Sequence, residues 1–80
     1  MGKRRATVDI RERFGFAVKL RRDELGFTQE ELAERAKIHR TYVSDIERGS
    51  RNVSLINIDL LAQALQLPLS QLFLLMEQHS

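Results

Sequence analysis

An all-α fold of five helices is predicted here on three observations. Apolar residues recur at intervals of three and four along most of the chain, and nothing alternates with period two over a useful length. One proline and four glycines in 80 residues leave long uninterrupted segments. A chain of this length makes one domain, and a hydrophobic share of 42% suffices for a core and is too high for a disordered tail.

The first helix is expected from about Asp9 to Leu25, capped by Thr7 and stopped by Gly26, with Phe14, Val18, the Arg21 stem and Leu25 on one face. The second runs from Gln29 to Ala36. Thr28 followed three residues later by Glu31 forms a capping box, and Leu32, Ala33 and Ala36 turn inward. Residues 37–39 break the pattern. A third helix covers Arg40 to Arg48, buries Val43 and Ile46, and ends at Gly49. The fourth starts after Ser54 and carries Leu55, Ile58, Leu61, Ala62 and Leu65 as its core stripe, with Pro68 closing it. The fifth spans Leu69 to Gln78 with Leu72, Phe73 and Met76 buried. Residues 1–7, which include Lys3, Arg4 and Arg5, read as a basic arm, either a phosphate-seeking extension or a solubilising start, and residues 8–80 as the domain.

A net charge of +2 conceals an uneven distribution. All 13 Lys and Arg fall within residues 1–51 beside nine acids, whereas residues 52–80 hold only Asp59 and Glu77 and no cation. That division suits a front facing a polyanion and an apolar back, although an ordinary solvated surface would look similar. No cysteine is present, so disulfides and thiolate metal sites are excluded. His39 and His79 stand forty residues apart, too far in sequence to suggest a metal site. No nucleophile–base pair, phosphate-cradling glycine loop or paired carboxylate stands out, so neither catalysis nor a cofactor is expected. No apolar stretch approaches the roughly 18–20 residues of a membrane helix, and Met-Gly-Lys-Arg-Arg has no apolar run behind it. A cytoplasmic protein without membrane contact is the expectation.

Function is carried by residues 28–49. Two short helices joined by three residues must cross steeply to share a core, at about 90–120°. Ala33 is small at the closest approach, and Ile38, Val43 and Ile46 fill the wedge. The solvent face of the second member is then Arg40, Thr41, Tyr42, Ser44, Asp45 and Arg48. Such short polar groups on a helix that fits the major groove can read base edges. Arg40 can grip guanine O6 and N7, Thr41 can offer a methyl to thymine or a hydroxyl to base or phosphate, and Ser44 can donate. The competing readings are a solvated Arg40, a Tyr42 packed against the second helix, and an Asp45 engaged in a cap or ion pair. Thr28 caps its helix whatever else it does, Gln29 stands at a helix start that favours an anion, and His39 can cap or touch phosphate.

These residues resemble the helix-turn-helix of the Cro and phage-repressor (XRE) family. The match rests on Thr28-Gln29, Ala33, Tyr42-Val43-Ser44, Ile46-Glu47 and Gly49, and the five-helix layout extends it over residues 14–75. Within that family the chain is most similar to the short controller proteins of restriction–modification systems, which share runs like Arg40-Thr41-Tyr42 and Ser50-Arg51-Asn52. The resemblance implies a repressor-like DNA-binding domain that regulates transcription from its own promoter. It makes Thr28 and Gln29 phosphate clamps, with His39 and Arg48 as further phosphate contacts. It brings Arg51 and Asn52 to the backbone and groove edge, where a plain turn is the alternative. It also implies a partly buried Arg22–Glu47 ion pair joining the first and third helices. One departure is Lys37, where the family usually has glycine and φ is often positive; lysine there costs about 1 kcal/mol.

One reading helix covers too few base pairs for useful specificity, and the family pairs subunits on pseudo-palindromic double-stranded DNA. Ile56 and Leu60 lie off the core stripe of the fourth helix, and Leu74 and Leu75 are in excess on the fifth. These four are the expected homodimer surface, unless the fifth helix buries them within one chain. RNA polymerase is a further candidate partner. Two other classes compete: an antitoxin that also represses its operon, disfavoured by the two residues left after the last helix, and a non-specific nucleoid binder, disfavoured by the polar rather than Lys-rich reading face.

Overall fold

A computed structural model describes residues 8–78. The basic arm at 1–7, with Thr7, and His79 therefore lie outside the described residues. Five helices follow in order: α1 (Ile10–Leu25), α2 (Gln29–Ala36), α3 (Arg40–Glu47), α4 (Leu55–Ala64) and α5 (Leu69–Gln78). No strand occurs among the described residues.

The first four starts are each set by a side-chain acceptor. Asp9, not Thr7, caps α1: its carboxylate accepts from the Arg11 backbone N–H at 2.8 Å and from the Arg11 guanidinium at 3.0 Å. Those hydrogen bonds from Arg11 lower the Asp9 pKa to about 2. Thr28 and Glu31 form the reciprocal box on α2, at 3.0 and 2.8 Å. His39 Nδ1 accepts from the Thr41 N–H to open α3, and Ser54 caps α4 through the Asn57 N–H. The α3 helix stops at Glu47, with Arg48 as its C-cap, one residue earlier than the periodicity suggests.

Four helix ends are followed by a left-handed residue. Gly26 after α1 and Gly49 after α3 supply it at φ 77°, while Lys37 after α2 and Gln66 after α4 adopt it at φ 61°. At Lys37 the reversal lets its own N–H reach the Glu34 carbonyl and the Ile38 N–H reach Ala33 at 3.0 Å. A Cβ in this region is strained, so Lys37→Gly is expected to stabilise the fold by about 1 kcal/mol. Urea unfolding should show a raised midpoint at an unchanged slope.

The core is one cluster drawn from every helix: Phe14, Ala17 and Val18 of α1, Leu32, Ala33 and Ala36 of α2, Val43 and Ile46 of α3, Leu61, Ala62 and Ala64 of α4 with the adjoining Leu65, and Leu72 and Met76 of α5. The α1 helix packs on α3 and α5, and α2 packs on α3 and α4. Arg21 ties α1 to α4 by donating to the Leu65 carbonyl at 2.9 Å, where the helix leaves carbonyls unpaired.

Two expected core residues are not in the core. Leu55 is 74% exposed because it opens α4 a full turn before the stripe that meets α2. Phe73 is 39% exposed: Leu72 and Met76 hold the inward line of α5, and Phe73 sits one helical step to its side. Leu25 packs only partly buried against the cluster.

Candidate nucleic-acid interface

The reading face stands on a frame made by α1, α2 and the end of α3. Gly15 is where α1 and α3 come closest. A Cβ there would lie 2.2 Å from the Ile46 carbonyl oxygen and 2.9 Å from that of Glu47, so only glycine admits this crossing. In the sequence Gly15 shows itself only as an isolated glycine inside a helical pattern.

Beside the crossing, Arg22 and Glu47 meet in two parallel hydrogen bonds, Nε to Oε2 at 2.6 Å and Nη2 to Oε1 at 3.0 Å. The side chains are 11% and 4% exposed. Burial of this degree is tolerable because every group has a partner: Arg22 Nη1 donates to the Phe27 carbonyl at 2.8 Å, and Gln29 Nε2 donates to Glu47 Oε1 at 2.9 Å. The hydrogen bond with Glu47 is the main cause raising the Arg22 pKa. Gln29, expected at a phosphate, is thus fastened to the frame through its amide nitrogen, which leaves its carboxamide oxygen outside this network.

On that frame Arg40 and Thr41 of α3 are exposed and Ser44 is half-buried. Arg40 Nε meets Glu30 Oε2 at 3.5 Å, both exposed, so the pair contributes only about 0–1 kcal/mol and yields easily to a ligand. Thr28 and His39 are exposed at the starts of α2 and α3, each engaged as a cap acceptor.

Tyr42 is half-buried with its ring packed against the core. Its hydroxyl accepts from Asn57 Nδ2 at 3.1 Å, linking α3 to α4. The Arg51 guanidinium lies over that ring, 4.9 Å from its centroid. Tyr42 therefore serves as a platform for the Arg51 guanidinium. Asn57 had no role in the sequence reading, since no local pattern links positions fifteen apart. Arg48 donates to Ser44 Oγ at 2.8 Å and pairs with Asp45. Asn52 is exposed in the loop that follows.

The structure thus brings Arg40, Thr41, Ser44, Arg48, Arg51 and Asn52 onto α3 and the loop that leaves it. The residues expected between subunits divide. Ile56 is 73% and Leu74 48% exposed, Leu60 is half-buried, and Leu75 is half-buried against its own chain's core. Leu55 joins the exposed set at the start of α4. No described helix is by itself long and apolar enough to cross a membrane, and no group of metal-ligating side chains gathers among the described residues.

Comparison with known proteins matches this arrangement. The helix-turn-helix family model covers residues 18–72. The control protein C.MunI of Mycoplasma sp is 44% identical over 66 residues, 81% of this chain and 89% of that protein. The control protein C.BamHI of Bacillus amyloliquefaciens is 50% identical over 60 residues, covering 74% of each. Among solved structures, the restriction-modification controller protein C.AhdI from Aeromonas hydrophila superposes with a TM-score of 0.77 at 43% identity, covering 79% of this chain and 96% of that one. C.Esp1396I bound to a 25 base pair operator site superposes at 0.82 with 32% identity, over 89% and 93%.

Proposed function

This chain belongs to the helix-turn-helix family in its Cro and phage-repressor (XRE) branch, and from that premise we propose that it is a restriction–modification controller, a transcriptional regulator that binds its own promoter as a dimer. The observation that carries the reading is α3 itself, a short polar helix whose Arg40 and Thr41 are exposed while its inner face is locked by Val43, Ile46 and Glu47. A rigid helix with base-reading groups outward is what major-groove recognition needs.

In this function Arg40 reads a guanine, Thr41 and Ser44 contact bases or the backbone beside it, and Arg51 and Asn52 reach the groove edge. Thr28, Gln29, His39 and Arg48 hold phosphates, which fix register without carrying sequence. Ile56, Leu60 and Leu74 form the two-fold contact on the cation-poor half, so two reading helices meet one pseudo-palindrome. Contact with RNA polymerase at that promoter, in the cytoplasm, belongs to the same reading. The antitoxin alternative has no specific observation in its favour.

Footprinting on the DNA upstream of its own gene, at two salt concentrations, tests this. Paired protected half-sites are expected, and Arg40→Ala should cost about 1–3 kcal/mol of discrimination at one base position. Uniform protection along the probe would refute the regulator function.

A further inference from the structure

Asp45 stands on the reading helix with a negative charge, where an approaching phosphate backbone should penalise it. Its surroundings supply a reason. The side chain is only 17% exposed, and its two oxygens serve different cations: Oδ1 pairs with Arg48 on α3, and Oδ2 accepts from Arg51 Nε at 3.3 Å on the loop beyond it. The loop is anchored to the same residue a second time, because the Asp45 carbonyl accepts from the Ser50 N–H at 3.0 Å and from Ser50 Oγ at 3.1 Å. On its other side the Arg51 guanidinium rests on the Tyr42 ring, and Tyr42 is itself pinned by Asn57.

Arg51 is therefore held from two directions through its Nε and its flat face. Its terminal nitrogens make no hydrogen bond among the described residues and remain available to an outside acceptor. An arginine on a loop otherwise loses considerable rotamer freedom on binding; one already oriented loses less, and the wrong acceptor geometry is penalised.

We propose that Asp45 is a specificity-determining positioning residue: its carboxylate sets the Arg51 guanidinium over Tyr42 for base or groove-edge reading, and its charge suppresses indiscriminate phosphate binding. The inference rests on the DNA-binding function above. Its signature is a change of opposite sign for two DNAs. Removing the charge should strengthen attraction to any duplex, while releasing Arg51 should weaken recognition of the correct one.

The test compares wild type, Asp45→Asn, Arg51→Ala and the double variant on two probes, the upstream duplex and a scrambled duplex of equal length, over a salt series. For Asp45→Asn, affinity for scrambled DNA should rise while the upstream-to-scrambled ratio falls by about tenfold, the scale of one lost bidentate contact. In the Arg51→Ala background, Asp45→Asn should leave that ratio within about twofold, because the residue it positions is gone. Should Asp45→Asn prove too unstable to assay, Asp45→Glu, which keeps the charge one methylene further out, should lower the ratio without raising scrambled-DNA affinity. An unchanged ratio in the folded variant, or an equal loss on both probes, overturns the role of Asp45 alone. A wild-type protein that does not distinguish the two probes overturns the regulator function with it.

Discussion

Glu47→Ala is expected to lower stability by about 3–5 kcal/mol, the scale for stranding one member of a buried ion pair. Arg22 is 9% exposed and would keep its charge with only the Phe27 carbonyl and the exposed Asp23 carboxylate, 3.4 Å away, for company, since a guanidinium does not shed its proton. Gln29 would lose its anchor in the same step. Stability of small domains is about 0.05–0.15 kcal/mol per residue, so this loss is comparable with the whole of it for a chain this short. Urea denaturation measures it directly. Replacing both partners by apolar residues of similar volume, Arg22→Met with Glu47→Leu, should recover most of the loss, because the cost lies in the unpaired charge rather than in the absence of an attraction. A Glu47→Ala protein within about 1 kcal/mol of wild type would mean that water reaches Arg22 freely, contrary to its burial.

Gly15→Ala is the second large effect. Alanine is the better helix former by about 1 kcal/mol, so an exposed helical glycine replaced by alanine gains stability. Here the added methyl would sit 2.2 Å from a backbone carbonyl oxygen, and neither backbone can rotate away as a side chain would. Overpacking of this kind costs about 3 kcal/mol or more, which outweighs the propensity gain. The carbonyls in question belong to Ile46 and Glu47, so any relief moves α3. DNA affinity should therefore fall even in the fraction that remains folded. Gly26→Ala is the matched comparison. Nothing lies within 4 Å of a Cβ there, and only its φ of 77° is unfavourable, so the expected loss is about 1 kcal/mol with DNA binding per folded molecule unchanged. Equal behaviour of the two variants would show that the α1–α3 crossing has room to spare.

The elements were legible because their signals are local. Thr28 and Glu31 are three residues apart and cap the same helix, Gly26 and Lys37 follow the last periodic positions, and Pro68 precedes α5 by one residue. Where a neighbour on another element decides, local signals are insufficient. Leu55 fits the α4 stripe by spacing, yet it opens the helix and stays 74% exposed. Asp9 and Thr7 are both good caps by type, and only the backbone decides which one reaches the Arg11 N–H.

By itself, then, the order of amino acids determined five helices, most of their ends and the polar face of α3, because each follows from chemistry within a few positions of the chain. Tertiary structure alone decided that Gly15 admits α3 to α1, that Gln29 fastens to Glu47, and that Tyr42, Asp45 and Arg51 form one assembly beside Asn57. Those relations depend on where separate helices are brought together in space. Periodicity shows which face of a helix is buried but not which atom on another helix will meet it.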